Sequence, residues 1–345
     1  MKKIKKRFTS FGSILMMVSF ILMCIGIGFG VHAYMIGNGQ VPVYAGQGYW
    51  SPAITSSNRI ATTEFVNIQE DRAGYFTVPL PEGTDKTKVV ISNISDSHMV
   101  LIRVPGADMD FYHRNPFSGD MNNVTGVKYG FDDDGAVVEL DSDGVYEIDS
   151  NIEDDRLYIK LVPPQEIYDK ILVINAAYGG DETGSVGYGL KEKDITLAVS
   201  EAIRNHVSGN DIGVYFTRTA DVNVSSADRI KMINDVDADM VITLRVAGDE
   251  DTRITRGMNV LFYSVAEADA AQFMLDAISA KAKVIPNMTA YQAKGELQDS
   301  SDARFFGIDL AYITNKGDVS AYLDKTRVDR VGEAIAEAAE MLLKD

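Results

Sequence analysis

The chain has 345 residues, of which 46% are hydrophobic, so it is long enough for two domains and apolar enough to bury a core. Its 33 basic residues are outnumbered by 50 acidic residues, and the formal net charge is −17. A surface this acidic disfavours nucleic acids, which are held mainly by Lys and Arg contacts. We therefore expect no nucleic-acid partner.

The N-terminus predicts a membrane segment. Residues 2–7 (KKIKKR) are strongly basic, and residues 8–35 contain no Asp, Glu, Lys or Arg. An apolar run of about 20 residues can span a bilayer as a helix, and the basic residues before it favour a cytoplasmic N-terminus. We expect residues 1–35 to be a cytoplasmic basic tail and a single-pass membrane anchor, with the C-terminal part extracytoplasmic. Cleavage near Ala33, which would release a secreted protein, is the alternative.

Cysteine and histidine offer little chemistry. The only cysteine, Cys24, lies within the apolar run, so the chain can form no internal disulfide and no cysteine-based metal site. The four histidines, His32, His98, His113 and His206, share no spacing typical of metal ligands. The chain also has no GxSxG elbow and no GKS or GKT phosphate loop.

Residues 36–163 predict a linker followed by a β domain. Residues 36–60 are rich in Gly, Pro, Ser and Asn, which is typical of a spacer, and we expect the linker to extend over 36–70. In residues 71–163, short apolar runs such as YFTVPL, KVVISNI and MVLIRV alternate with turn clusters such as PEGTD and DDDG. This spacing predicts an all-β sandwich that ends near Val162. Pro163 and Pro164 mark its boundary, because consecutive prolines stop strands.

Residues 168–345 alternate between strand and helix patterns. The strand candidates are ILVIN (171–175), VYFT (214–217), MVITL (240–244) and NVLFY (259–263). Two helices, one from Asp194 to about Val207 and one over 328–343, carry apolar residues at steps of three and four. The pattern predicts an α/β domain whose sheet is covered on both faces.

The first of these strands opens into a glycine-rich loop, GGDETGSVGYG (179–189). A dinucleotide site is a weak interpretation of this loop, because the helical pattern starts only near Asp194. The acidic Asp181 and Glu182 would also repel phosphates.

Four polar residues stand at or near the carboxyl ends of strands or the start of the next helix, where open α/β sheets commonly carry their sites. Tyr178 follows the first strand, Glu192 precedes a helix, Arg245 follows MVITL, and Asp309 follows a possible further short strand. From spacing alone, both a shared pocket and unrelated loop positions remain open.

Three ordered blocks carry a family resemblance: GGDETGSVGYGLKEKDITLAV, VYFTRTADVNVSSADRIKMINDVDADMVITL and IDLAYITNKGDVSAYL. Through them, residues 170–343 resemble the catalytic domain of the zinc-dependent N-acetylmuramoyl-L-alanine amidases, which cleave the bond between the glycan and the stem peptide of peptidoglycan. The resemblance implies a twisted mixed sheet flanked by helices. Residues 71–163 are vaguely similar to the wall-targeting β domain often found before such amidases.

The resemblance also implies a zinc ion held by His, Glu and His, with another Glu as general base. At the first histidine position this chain has Tyr178, at the glutamate position Glu192, and at the second histidine position Arg245. The general-base position falls on Asp309. Three of the four residues have therefore changed.

These changes predict the loss of zinc. A phenol is a poor ligand, and an arginine about 4 Å from a divalent ion costs about 8 kcal/mol at an effective dielectric near 20. We expect no bound metal, with Tyr178, Glu192 and Arg245 as former ligand positions and Asp309 as a degenerate general-base position. An arginine between the two carboxylates would be able to bridge both.

The sequence thus predicts a membrane-anchored, extracytoplasmic amidase-like protein that has lost zinc hydrolysis. Its expected role is to bind peptidoglycan or to regulate wall remodelling with partner proteins. Two alternatives stay open: an active amidase with an altered metal site, and a scaffold without a wall ligand.

Overall fold

A computed structural model of the chain describes residues 43–45, 60–61, 72–119, 122–132, 134–207, 211–248, 255–283, 290–295 and 297–344. The predicted membrane segment, with Cys24 and His32, lies outside these ranges, as does most of the predicted linker. Within the described ranges, every helix is too short or too polar to cross a membrane.

The first part of the structure consists of two β-sheets and one short helix. One sheet has the strand order β1-β4-β5-β8-β7-β2, and the other has the order β6-β3-β10-β9. The strands are β1 (Val43–Ala45), β2 (Ile60–Ala61), β3 (Phe76–Pro79), β4 (Val90–Ile94), β5 (Met99–Pro105), β6 (Ser118–Gly119), β7 (Val124–Asp132), β8 (Gly135–Ser142), β9 (Glu147–Glu153) and β10 (Arg156–Val162).

A single apolar cluster joins the two sheets. It takes Val78 and Leu157 from the second sheet, Ile102 and Val138 from the first, and Tyr112 from helix α1 (Met109–Arg114). The expected all-β architecture did not include this helix. Asp108 caps its N-terminus, because the Asp108 carboxylate accepts a hydrogen bond of 2.7 Å from the Phe111 amide. The strand pattern of this region ends at Val162, immediately before the two prolines.

The second part is built on a mixed sheet with the order β14-β11-β15-β18-β16-β17. Strands β14, β11, β15 and β18 are parallel, whereas β16 pairs with β18 in the antiparallel sense. Strands β12 and β13 form a separate hairpin. The strands are β11 (Lys170–Ala176), β12 (Val186–Gly187), β13 (Leu190–Lys191), β14 (Ile212–Phe216), β15 (Met240–Ala247), β16 (Asn259–Phe262), β17 (Tyr291–Gln292) and β18 (Arg304–Tyr312).

Helices cover both faces of this sheet, as the apolar runs predict. The helices are α2 (Glu192–His206), α3 (Ser226–Asp235), α4 (Ala268–Ala282), α5 (Lys316–Ser320) and α6 (Lys325–Lys344). Leu172 and Ile174 of β11 pack with α2, α4 and α6 on one face, whereas Ile171 and Val173 pack with α3 on the other. The expectation of a mixed sheet flanked by helices is confirmed.

Strand β18 differs most from its expectation. The sequence indicated at most a short strand before Asp309, but β18 runs for nine residues and lies between β15 and β16. Gly307 and Asp309 interrupt its apolar pattern, although both are buried. A buried charge is uncommon within a strand, so the pattern alone underestimated this element.

The β-sheets of the first part contact the second part through a small mixed interface. Val145 joins the apolar cluster beneath α3, and the Tyr215 hydroxyl donates a hydrogen bond of 2.6 Å to Glu147 Oε1. Asp96 Oδ2 accepts hydrogen bonds from the Thr219 amide and hydroxyl at 2.8 and 2.7 Å. Burial raises the pKa of Glu147, although the hydrogen bond from Tyr215 opposes this effect.

The raised pKa of Glu147 makes stability at this interface depend on pH. A carboxyl whose pKa is raised by folding is tolerated while it is protonated, so stability falls as pH rises through the raised value. We expect Glu147→Gln to remove this fall, because the amide does not titrate. Urea unfolding between pH 4 and pH 8 measures it. The exposed Glu82→Gln variant is the control and should retain the wild-type pH profile. An unchanged pH profile in Glu147→Gln would show that Glu147 is not the cause of the pH dependence.

Candidate functional site

The four residues singled out from the sequence line one cavity. This strand-end cavity has a volume of about 790 Å³ and lies beside β11, β15 and β18 toward their carboxyl ends. Tyr178, Glu192, Arg245 and Asp309 all contribute to its lining. Its size lies within the range of small-molecule and peptide pockets, about 300–1,000 Å³.

Arg245 and Asp309 form the central contact of the cavity. They are directly paired positions of the parallel strands β15 and β18. Arg245 Nε lies 3.4 Å from Asp309 Oδ1, and their side chains are 40% and 3% exposed. The Tyr291 hydroxyl donates a hydrogen bond of 3.2 Å to the other carboxylate oxygen of Asp309. The buried carboxylate thus has a cation on one side and a phenol on the other.

Burial and charge oppose one another at this pair. Burial raises the pKa of Asp309 above its ordinary range, although the charge of Arg245 and the hydrogen bond from Tyr291 oppose it. Burial alone would lower the pKa of Arg245, but Asp309, Tyr263 and Glu192 together raise it above its ordinary value. Arg245 therefore remains a cation at every pH at which the protein is folded.

Glu192 is the first residue of α2, and its carboxylate binds backbone amides. Oε1 accepts a hydrogen bond of 2.8 Å from the Val246 amide, and Oε2 accepts one of 3.0 Å from the Ser185 amide. The side chain is buried, and no described cation forms an ion pair with it. The expected bridge of Arg245 to both carboxylates is wrong, because among the described residues Arg245 forms an ion pair with Asp309 and none with Glu192.

Tyr178 lies in a strained turn beside Glu192. Its φ angle is 61°, in the left-handed region, and its side chain is 41% exposed. A Cβ atom at Gly184 would lie 2.6 Å from Tyr178 Cδ2 and 2.8 Å from Glu192 Oε2. Only glycine leaves room here for the ring and the carboxylate to approach each other.

The inner end of the cavity contains a polar pair that the sequence reasoning did not assign to a site. Arg229 of α3 donates hydrogen bonds to Asn175 Oδ1, to the Ala176 carbonyl at 3.0 Å and to the Val224 carbonyl at 3.1 Å. Burial, reinforced by the nearby Arg218, lowers the pKa of Arg229 to about 10. Two features of the sequence point to these residues. Arg229 lies in the second block that carries the family resemblance, and Asn175 stands at the end of a predicted strand.

Two tyrosines of the cavity wall were also not predicted from the sequence. Tyr263 follows β16 and faces Arg245, and Tyr291 lies in the two-residue strand β17. Neither belongs to a motif with fixed spacing, so only the folded sheet brings them beside Asp309.

The residues of the cavity do not fit a zinc ion. Zinc requires about three donor groups in a tetrahedral arrangement with an open position for water. The positions implied by the resemblance supply a phenol, a guanidinium and a carboxylate whose oxygens both accept amide hydrogen bonds. Across the described part of the chain, no group of three or more His, Cys, Asp or Glu side chains could hold a metal.

The described histidines lie away from the cavity lining. His98 Nε2 is 3.8 Å from Asp235 Oδ2, and His206 Nε2 is 2.9 Å from Asp329 Oδ1. His113 is in the last turn of α1. As expected from their spacing, they do not converge with one another.

Truncation of Arg245 should destabilise the protein in a pH-dependent way. Arg245→Ala leaves the buried Asp309 without a cation, and we expect a loss of about 2 kcal/mol at pH 7.5. The loss should be smaller at pH 5 than at pH 7.5, because burial raises the pKa of Asp309 and a carboxyl that takes up a proton no longer needs a cation. Denaturant unfolding at both pH values measures it.

The double variant Arg245→Ala/Asp309→Asn is the matched control for this prediction. It removes the orphaned charge, so it should recover most of the loss at pH 7.5. An equal loss in the single and double variants, at both pH values, would show that Asp309 is not the partner whose charge matters.

Comparisons with known proteins identify relatives of the second part of the chain. Residues 172–341 match the sequence profile of the family described as N-acetylmuramoyl-L-alanine amidase. An uncharacterized Bacillus subtilis protein, YqiI, is 32% identical over 82 residues, which are 24% of this chain and 40% of that protein. The sporulation-specific N-acetylmuramoyl-L-alanine amidase of B. subtilis is 34% identical over 77 residues, 22% of this chain and 30% of that protein. The chain thus spans less than half of the length of these relatives.

Solved structures give similar matches. An N-acetylmuramoyl-L-alanine amidase from Clostridium difficile 630 is 19% identical with a TM-score of 0.48, covering 51% of this chain and 97% of that one. The amidase AmiC2 of Nostoc punctiforme is 21% identical with a TM-score of 0.48, covering 51% and 98%.

Proposed function

Because residues 172–341 belong to the N-acetylmuramoyl-L-alanine amidase family, we propose that this protein binds peptidoglycan through its strand-end cavity without zinc-dependent hydrolysis. In this role it binds the wall itself or regulates other proteins that remodel the wall. The protein is thus an amidase-like pseudoenzyme of peptidoglycan metabolism.

The contact between Arg245 and Asp309 carries the proposal. By resemblance, these residues occupy the positions of a metal-binding histidine and of the general base. Their separation of 3.4 Å makes the guanidinium a partner of the carboxylate. A general base needs to reach a water or substrate proton within hydrogen-bond distance, and Asp309 is instead covered by Arg245 and Tyr291.

Electrostatics argues against zinc at the same place. A guanidinium about 4 Å from a divalent ion costs about 8 kcal/mol at an effective dielectric near 20. This is comparable with much of the binding energy of a structural zinc site, about 10–16 kcal/mol. The one carboxylate at a ligand position, Glu192, is already held by two backbone amides, at 2.8 and 3.0 Å.

The location of the protein follows from its N-terminal sequence. The basic residues 2–7 and the uncharged run 8–35 support a single-pass membrane anchor with the C-terminal part outside the cytoplasm. Secretion after cleavage near Ala33 is the alternative. In this arrangement residues 71–163 act as a β-sandwich that directs the protein to the wall. Its partners are peptidoglycan and wall-remodelling proteins.

Restoration of the family residues tests the proposed loss of zinc. We expect Tyr178→His/Arg245→His/Asp309→Glu to bind zinc and to gain thermal stability in its presence, because two ligands return and one cation leaves. The wild type should show no shift in melting temperature on zinc titration. The matched control, Tyr178→His/Asp309→Glu, retains Arg245 and should also show none. A shift in the wild type would contradict the proposal.

Sedimentation with isolated sacculi tests wall binding. We expect the detergent-solubilised full chain to co-sediment with sacculi and to leave them intact. The variant Gly248→Trp places an indole in the cavity, because Gly248 lines it and the nearest 4 Å around an added Cβ is open, so it should reduce co-sedimentation. Val265→Trp is the control, because Val265 is exposed and lies outside the cavity lining. Absence of sedimentation in the wild type would favour a scaffold without a wall ligand.

A further inference from the structure

Arg229 places an unneutralised positive charge at the inner end of the strand-end cavity. It is 93% buried, given its exposed fraction of 7%. Within the described residues, every hydrogen bond that it donates goes to a neutral oxygen, on Asn175, Ala176, Thr217 or Val224. A buried guanidinium without a carboxylate partner favours an anion nearby.

Arg245 presents a second guanidinium to the same cavity. Its Nε lies 3.4 Å from Asp309 Oδ1, and the guanidinium also forms a hydrogen bond with the Tyr263 side chain. The side chain is 40% exposed and lines the cavity. A guanidinium has five N–H donors, so Arg245 retains donors for charge-assisted hydrogen bonds with a carboxylate in the cavity.

The acidic groups of the cavity interior are already engaged. Glu192 accepts two backbone amides, and Asp309 is held between Arg245 and Tyr291. Glu182 is exposed at the rim. The interior thus offers guanidinium and phenol donors rather than carboxylate acceptors.

We propose that the strand-end cavity binds a free carboxylate of a peptide, which the guanidinium of Arg245 holds by charge-assisted hydrogen bonds within the positive field of Arg229. The phenol rings of Tyr178, Tyr263 and Tyr291 form the walls that contact the rest of the peptide. A carboxylate suits this cavity better than a phosphate does, because the rim Glu182 and the net charge of −17 repel a dianion more strongly.

The identity of the peptide as a peptidoglycan stem peptide rests on the proposed function. The carboxylate site itself rests on the geometry of the two arginines. The carboxylate site and the binding of peptidoglycan can therefore fail separately, and a separate measurement tests each of them.

The probe is the synthetic tripeptide L-Ala-γ-D-Glu-L-Lys, compared with the same peptide in which all carboxyls are amidated. With the full chain in detergent, we expect calorimetry to show affinity for the acid at least about tenfold higher than for the amide, as a charge-assisted bond requires. Arg245→Lys retains the cation but not the planar guanidinium, so it should reduce this preference about fivefold or more. Its affinity for the amide should not change.

Controls define what would overturn the proposal. Arg330→Lys, an exposed change on α6 outside the cavity lining, should retain the full preference. Equal affinity for acid and amide, or full preference in Arg245→Lys, would overturn the carboxylate site. Displacement of the peptide by an equal concentration of inorganic phosphate would overturn the choice of carboxylate over phosphate.

Sacculi separate this inference from the proposed function. If the protein sediments with sacculi equally well before and after their carboxyls are amidated, the carboxylate site fails and wall binding stands. If it prefers the acid tripeptide but does not sediment with untreated sacculi, the carboxylate site stands and the proposed function fails. Sedimentation that is lost on amidation supports both.

Discussion

The burial of the Asp309 carboxylate in the middle of a sheet is the constraint on which the rest of the site depends. A carboxylate that is 3% exposed needs a compensating charge or must take up a proton. The parallel register of β15 and β18 puts Arg245 directly opposite, and the contact of 3.4 Å supplies that charge. Once the guanidinium is held there, a divalent cation at the same end of the sheet meets a repulsive field.

Glu192 stands at a position that by resemblance corresponds to a zinc ligand, and here its carboxylate binds two backbone amides. Its carboxylate stands at the first turn of α2, where the helix dipole favours negative charge. From there it joins the backbone of the glycine-rich loop at Ser185 to the end of β15 at Val246. These bonds fix the position of the loop that carries Tyr178. The presence of a family glutamate is therefore compatible with a structural role and is no evidence for a metal.

Much of the second part of the fold could be predicted from local sequence. The apolar run of β11 and the stripes of α2 and α6 gave elements whose observed bounds differ by only a few residues. β18 was underestimated, because Gly307 and Asp309 break its pattern and its burial depends on β15 and β16 beside it. The site residues were found through strand ends and family resemblance. Their partners were not, because the amides that bind Glu192 and the tyrosines beside Asp309 come from distant segments.

The central claim is that the arginine and carboxylate pair has replaced metal-dependent hydrolysis in an amidase-like fold. Its most direct test is the metal content of the purified full chain together with the release of stem peptide from isolated sacculi. The account predicts less than one-tenth equivalent of zinc, on the order of background, and no released peptide even with added zinc. Near-stoichiometric zinc accompanied by released stem peptide would contradict it.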